Sequence, residues 1–407
     1  MSVTGRISRQ QVVVLAVCVA IFALGQFHRA SGSVFTPILM QRFALPAATI
    51  GGLVSAMFLA TIVAQLPFGA LLDRSGPRRL LALCMAIVSV GTVVFALAGG
   101  FGAAVVSRVL IGIGLASMGA ATHVIIARNF APRDFGYFSG LVVTLGGVGG
   151  LMGTYPLALA LERVAWPVVF GTVAALTAVL AVLIFRAVPH VPKPEGDAEE
   201  EVGGYLSLLR QKEFLKVLAL GVVTFAPITT ITGLWGGPYL QQVAGMSPEG
   251  AGAVLLLLFV ATIAGGVSFG MLDRRAKSRK RVILVSAGLS AASLLVLALL
   301  ERPGVVVTVA LLLAMVFFQH FYVPLGAHMR RLVPDHMLGR GSTLLTLFAV
   351  AMIPVMQVGF GMILDWAEVM GWDLQDRYRL AFAAIGGMIV LSTVVYSTVR
   401  TADDDVV

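Results

Sequence analysis

Charge is scarce in this sequence. Only 12% of its 407 residues are charged, whereas a soluble domain carries about 25%; 58% are hydrophobic and the mean hydropathy is +0.95. Acidic residues are scarcest where they would matter most, since no Asp or Glu falls in the middle of any long apolar run. There are two cysteines, Cys18 and Cys84, both inside apolar runs, and this excludes a disulfide framework. The six histidines are scattered, with no acidic or cysteine cluster beside them, so neither a metal site nor a cofactor is expected. No nucleophile stands near a base, so no catalytic residue is assigned and an enzyme is disfavoured. The apolar run 10–27 could pass for a signal peptide, but Arg29 and Pro37 come next, so an uncleaved first helix is expected.

What remains is a series of long apolar runs. A spanning helix needs roughly 20 mostly apolar residues, and the chain holds enough for twelve. In lipid the backbone must satisfy its own hydrogen bonds, so these runs are helices; barrel strands would be shorter and would alternate. The expected helices cover roughly 10–36, 47–71, 79–98, 102–126, 135–160, 165–187, 214–238, 248–271, 281–300, 304–328, 339–365 and 378–399, numbered 1 to 12 in chain order. The fold class is therefore all-α integral membrane. Residues 188–213 break the pattern with Pro189, Pro192, Pro194 and Glu199-Glu200-Glu201, and read as a linker. It separates a first six-helix bundle, 1–187, from a second, 214–400; residues 401–407 form an acidic tail.

The net charge of +9 does not signal nucleic acid, because of where the charge lies. With the N-terminus inside, about 22 of the 29 Lys and Arg fall in the termini and even-numbered loops, and about five in the opposite loops. This bias places both termini and the linker in the cytoplasm. The lipid bilayer is the implied partner, and a monomer suffices.

The most informative stretch is Gly69-Ala-Leu-Leu-Asp73-Arg74-Ser-Gly76-Pro-Arg78-Arg79. Gly76-Pro77 turns the chain between two apolar runs. About 200 residues later comes a degenerate copy, Gly270-Met-Leu-Asp273-Arg274-Arg275, and the stretches Arg128–Gly136 and Arg331–Arg340 echo each other at a similar offset. The chain therefore reads as two pseudo-symmetric halves. The pattern G-x-L-x-D-R-x-G-x-R-R resembles the loop between helices 2 and 3 of the major facilitator superfamily of transporters. That resemblance spans the chain. It implies parallel six-helix halves, a substrate site near the midplane at their interface, and a conformational latch formed here by Gly69, Asp73, Arg74, Gly76 and Arg78, with Asp273 and Arg274 in the second copy. Ordinary turn chemistry is the plainer reading of the same residues.

Two cations lie inside predicted spans, Arg29 and Arg108, and an intramembrane charge costs about 2.5–3.5 kcal/mol on insertion scales. Gln26, Arg29 and Ser33 share a face of helix 1, with His28 adjacent. A guanidinium suits a carboxylate or phosphate through paired hydrogen bonds. The spacing Arg29-x7-Pro37 resembles the organic-anion and sugar-phosphate permease branch, and the resemblance implies that Arg29 binds an anionic substrate. Helix 7, Val222 to Thr232, carries no second cation for a phosphate clamp, so a carboxylate is the better fit. A structural arginine that snorkels to the interface is the alternative. Arg108-Val-Leu-Ile-Gly112-Ile-Gly114 resembles the helix 4 motif of the superfamily, which implies proton coupling or interhelix bonding; His123 shares the helix face of Arg108.

Further substrate contacts are assigned to Gln26 and His28 of helix 1, His123 of helix 4, Thr229 and Trp235 of helix 7, and Gln319, His320 and Tyr322 of helix 10. A histidine can carry a coupling proton where carboxylates are absent; hydrogen bonding inside the bundle is the commoner fate. Trp235-Gly236-Gly237-Pro238 reads either as an outer gate or as an interfacial anchor. The expected function is secondary transport of a small organic anion across a bacterial inner membrane, coupled to a proton or a counter-substrate, as a symporter or exchanging permease. Drug or metabolite efflux is one competitor, weakened because helix 5 lacks the Gly-Pro-x-x-Gly-Gly core of drug:proton exporters. A non-transporting sensor on the same fold is another.

Overall fold

The structure is a computed structural model. It describes residues 8–131, 134–188, 207–276, 278–334 and 337–400, apart from the side chains of Leu66, Ala70, Asp73 and Arg274. Most of the expected linker and the acidic tail lie outside the described residues.

Among the described residues, twelve helices are long and apolar enough to cross a membrane: Arg9–Ala30, Ala47–Gln65, Arg74–Ala96, Phe101–Asn129, Phe135–Arg163, Trp166–Ala187, Lys212–Gln242, Pro248–Asp273, Arg279–Leu299, Val305–Met329, Arg340–Val369 and Leu374–Ser397. They are helices 1 to 12 below. The all-α, twelve-span expectation is thus met, with ends shifted by a few residues. The largest extension follows helix 1, where helical structure resumes as Gly32–Phe43 and carries on past Pro37.

Local chemistry sets where the helices begin. Ser8 caps helix 1 in a reciprocal capping box with Gln11, satisfying two N–H groups at once. Ser247, Ser278 and Asp373 accept from the backbone three residues on at helices 8, 9 and 12. Between helices 2 and 3 the backbone stays nearly helical, but Gly76 sits at φ +75°, a region open to glycine and strained for other residues. Pro77 follows and opens the part of helix 3 beyond this kink, a position where its missing N–H costs nothing.

Helix 7 is the most irregular. It runs Lys212–Gly221, breaks, resumes at Ala226–Thr230, passes through a π-helical turn at Ile231–Trp235 and finishes as Gly236–Gln242. Single π turns within helices tend to mark functional positions.

The chain forms two compact units. The first comprises Met1–Phe35 and Leu53–Asp197, the second Thr36–Gly52 and Ala198–Val407. The segment around the start of helix 2 therefore groups with the later half of the chain. Within each unit the usual order of a soluble protein is relaxed. Large apolar side chains lie open on the outside, with Val306 82% and Leu176 65% exposed, as expected where the surrounding medium is hydrocarbon.

Candidate functional site

In the first unit the buried polar groups gather around helix 1. His28 is buried, and its Nε2 lies 3.5 Å from the Thr92 hydroxyl of helix 3, which itself donates to the Val88 carbonyl at 2.7 Å. Three residues along helix 3, about one turn, Phe95 lies under the guanidinium of Arg108, 3.9 Å from ring centre to Cζ; the Phe35 ring stands 4.6 Å away on another side. Trp166 and Phe170 back the two rings, and the Trp166 indole N–H donates to the Phe95 carbonyl at 3.1 Å. Arg108 is 1% exposed. Among the described residues it has no ion pair, and its Nε and Nη2 have no hydrogen-bond partner; neither has Nδ1 of His28. A desolvated cation–π contact contributes about 2 kcal/mol, so two rings offset much of the cost of placing this charge in the membrane.

The rest of the helix 4 motif explains how Arg108 gets there. A Cβ on Gly112 would stand 2.2 Å from the Met57 carbonyl oxygen of helix 2, and one on Gly114 would stand 2.5 Å from the Cys84 carbonyl oxygen of helix 3. Only glycine lets helix 4 approach both neighbours this closely. Thr61 then bridges helices 2 and 4 by donating to the Gly112 carbonyl at 2.9 Å. Arg108, Gly112 and Gly114 thus work as one packing motif that delivers a cation into an aromatic cage.

Arg29 is placed differently. It is half-buried, and its Nη1 donates to Gln26 Oε1 at 3.3 Å across one helical turn. Among the described residues it makes no ion pair. This guanidinium inside a span therefore has one neutral partner among the described residues, and donors to spare. His123, on helix 4, stands edge-on to Phe22, with ring centres 6.3 Å apart, and tilted against Phe135.

In the second unit the other assigned residues surround helix 7. Gln319 donates to the Val223 carbonyl at the break in helix 7 and accepts from Ser290 of helix 9. Tyr322 packs its ring 4.5 Å from Phe225 and bonds Thr346 at 3.0 Å. Trp235, at the end of the π turn, is fully buried. It stacks on Phe360, ring centres 5.3 Å apart, and its indole N–H donates to the Gln357 carbonyl of helix 11 at 3.0 Å. The Gln357 side chain returns to the Thr229 carbonyl at 3.4 Å. His320 Nδ1 lies 2.9 Å from the Val316 carbonyl, and its ring fills the space beside Gly265. The structure therefore draws Thr229 and Trp235 together through Gln357. It ties Gln319 and Tyr322 to the irregular part of helix 7 and leaves His320 facing helix 8.

Of the loop residues, Gly69 has open space where a Cβ would stand, Arg74 is exposed, and Arg78 stacks on Phe185 at 4.8 Å. The side chains of Asp73 and Arg274 lie outside the described residues. Asp273 holds Arg279 by two contacts, 2.7 Å to Nε and 3.3 Å to Nη2.

Sequence reasoning did not find Thr92, Phe35 or Phe95, because a threonine and two phenylalanines inside apolar runs carry no local signal. Asp365, near the end of helix 11, was also missed. Its carboxylate accepts from the Ala47 and Ala48 N–H groups at 2.7 and 2.8 Å, and its position close to a helix end gave no hint of a partner 317 residues away.

Among the described residues, twelve helices long and apolar enough to cross a membrane, with sparse polar groups buried among them, define a multi-pass membrane protein. The sequence model of the Major Facilitator Superfamily matches residues 15–356. The chain belongs to that family, which is one of transporters and not of enzymes. It is 30% identical over 189 residues to the probable L-galactonate transporter of Escherichia coli K12, a match covering 46% of this chain and 42% of that protein. It is 24% identical over 318 residues to the hexuronate transporter of Bacillus subtilis 168, covering 74% of each. The fold matches the crystal structure of the nucleoside transporter NupG with a TM-score of 0.76 at 14% identity, over 96% of this chain and 99% of the other.

Proposed function

We propose that this protein is a secondary transporter for a small monocarboxylate, a sugar acid foremost, which it exposes alternately to the two sides of a bacterial inner membrane with both termini in the cytoplasm. The observation that carries this reading is Arg29: a half-buried cation within a span, paired with the neutral Gln26 alone among the described residues. A guanidinium so placed can receive a carboxylate through two parallel hydrogen bonds. The names of two relatives, galactonate and hexuronate transporters, denote sugar acids and support the same substrate chemistry. Arg108 lacks the freedom for this task, since two rings enclose it. Its part is to hold the segment Gly32–Phe43 to helices 3 and 4, and coupling to a proton would act through it and through the buried His28. Exchange against a counter-substrate is the other coupling mode.

The test is counterflow in proteoliposomes with L-galactonate, glucuronate, a hexose phosphate and a cationic dye. Wild type should exchange the sugar acids. Arg29→Ala should lower the rate about 100-fold, the loss expected for a charge-assisted hydrogen-bond pair, and Arg29→Lys should recover part of it. Dye movement that survives Arg29→Ala would overturn the reading in favour of efflux.

A further inference from the structure

A groove of about 360 Å³ opens between helices 8, 9 and 10 in the second unit. Helices 8 and 9 both pack on helix 10, which supplies Phe317 and Phe318 to the groove, while helix 8 supplies Ser268, Phe269 and Leu272. Phe269 meets Phe317 edge to face, ring centres 5.9 Å apart, and closes helix 8 onto helix 10. Helix 9 lines the other side from Arg281 to Ser286, about 7.5 Å of helix axis.

The walls are hydrocarbon. Ser286 keeps its hydroxyl on its own helix, donating to the Val282 carbonyl at 2.6 Å. Leu272 on helix 8 and Val285 on helix 9 are 42% and 61% exposed. The groove therefore opens to the surroundings of the bundle, which in a membrane are acyl chains.

One end is charged, where the turn between helices 8 and 9 lies. Among the described cations of that turn, Arg279 is held by Asp273, and Lys280 donates to the Val399 carbonyl. Arg281 lines the groove and is exposed; its guanidinium has no hydrogen bond or ion pair among the described residues. Arg275 follows Leu272 by about one turn of helix 8 and is likewise exposed. A hydrocarbon groove with a free guanidinium at its polar end repeats the order of a phospholipid, chain within the membrane and phosphate at its surface. Basic pockets between spanning helices on the cytoplasmic side take anionic lipid headgroups.

We propose that this groove binds one anionic phospholipid, with an acyl chain between helices 8 and 9 against Phe317 and the phosphate on Arg281. Arg275 adds a second positive charge near that end. A zwitterionic headgroup carries its own cation beside the phosphate and gains less from these arginines. The site uses none of the residues assigned to the substrate, so it stands whatever the cargo.

The test is native mass spectrometry of the detergent-purified protein with dioleoyl phosphatidylglycerol or dioleoyl phosphatidylcholine. Wild type should hold one phosphatidylglycerol about tenfold more tightly than phosphatidylcholine. Arg281→Gln changes an exposed, unbonded side chain and should weaken that binding about tenfold, the loss expected for a charge-assisted contact. Arg186→Gln removes another exposed cation, at the end of helix 6, and controls for general attraction to a basic protein; it should change binding by less than about twofold. Ser268→Phe fills the groove and leaves every charge in place, and should also weaken binding about tenfold. Excess inorganic phosphate should not displace the lipid. Equal affinity for the two lipids, a loss in Arg186→Gln as large as in Arg281→Gln, undiminished binding in Ser268→Phe, or displacement by phosphate would each overturn the proposal.

Discussion

Arg108 in its cage gives the sharpest test of the physical reasoning, and Phe95→Leu is the perturbation. The substitution keeps an apolar residue on helix 3 and removes the ring that lies 3.9 Å from the guanidinium carbon. Two losses add: about 2 kcal/mol for a desolvated cation–π contact and about 1 kcal/mol for the packing volume lost on going from phenylalanine to leucine. Phe95→Leu should therefore destabilise the protein by about 3 kcal/mol. Arg108→Met should be far milder in stability, because it removes the buried charge along with its partners. In the double variant only the packing loss remains, so the two substitutions should couple by about 2 kcal/mol. Steady-state unfolding in mixed detergent micelles measures all four corners of the cycle. The Trp166 fluorescence reports locally, since its ring centre lies 4.9 Å from that of Phe95. A coupling energy within about 0.5 kcal/mol of zero, the range found for independent sites, would refute the view that the rings hold the cation.

Other outcomes follow from single contacts. Gly112→Val should cost at least about 2 kcal/mol and lower folded yield, because its side chain would meet the Met57 backbone and not a flexible tip; size-exclusion chromatography after extraction reads this directly. Trp235→Phe should keep the stack on Phe360 but lose the bond to the Gln357 carbonyl, a destabilisation of about 1–2 kcal/mol in the same unfolding assay. Asp273→Asn should change stability by no more than about 1 kcal/mol, because its pair with Arg279 is partly open to solvent.

The reach of the sequence differs between levels. Twelve spans were legible because hydropathy acts locally: a run of about 20 apolar residues in lipid has one way to satisfy its backbone. The break at Gly76-Pro77 was legible for the same reason, since glycine opens the positive-φ region and proline fixes its own φ. The Arg108 motif could be read as a packing element, but its partners could not. Phe35 and Phe95 lie 73 and 13 residues away in apolar runs where every third residue looks equivalent. The Asp365 contact was invisible, because a carboxylate near a helix end looks the same whether it meets solvent or the backbone of another helix. Helix 7 shows the opposite limit. Its stretch Trp235-Gly236-Gly237-Pro238 read as a gate or an anchor, yet the place of the wide turn depends on what Trp235 and Thr229 meet on helix 11.

That wide turn has a bearing on how the chain tolerates change in length. An α-helix advances about 100° per residue, so the extra residue housed at Ile231–Trp235 sets the phase of everything beyond it. Pro238 and Tyr239 point where they do, with the Tyr239 ring 4.9 Å from that of Phe382, because of that one added residue. Deleting a residue from 231–235 would turn the helix end by about a quarter of a revolution without changing a single side chain in it. Insertions and deletions, more than substitutions, are the changes this helix should resist.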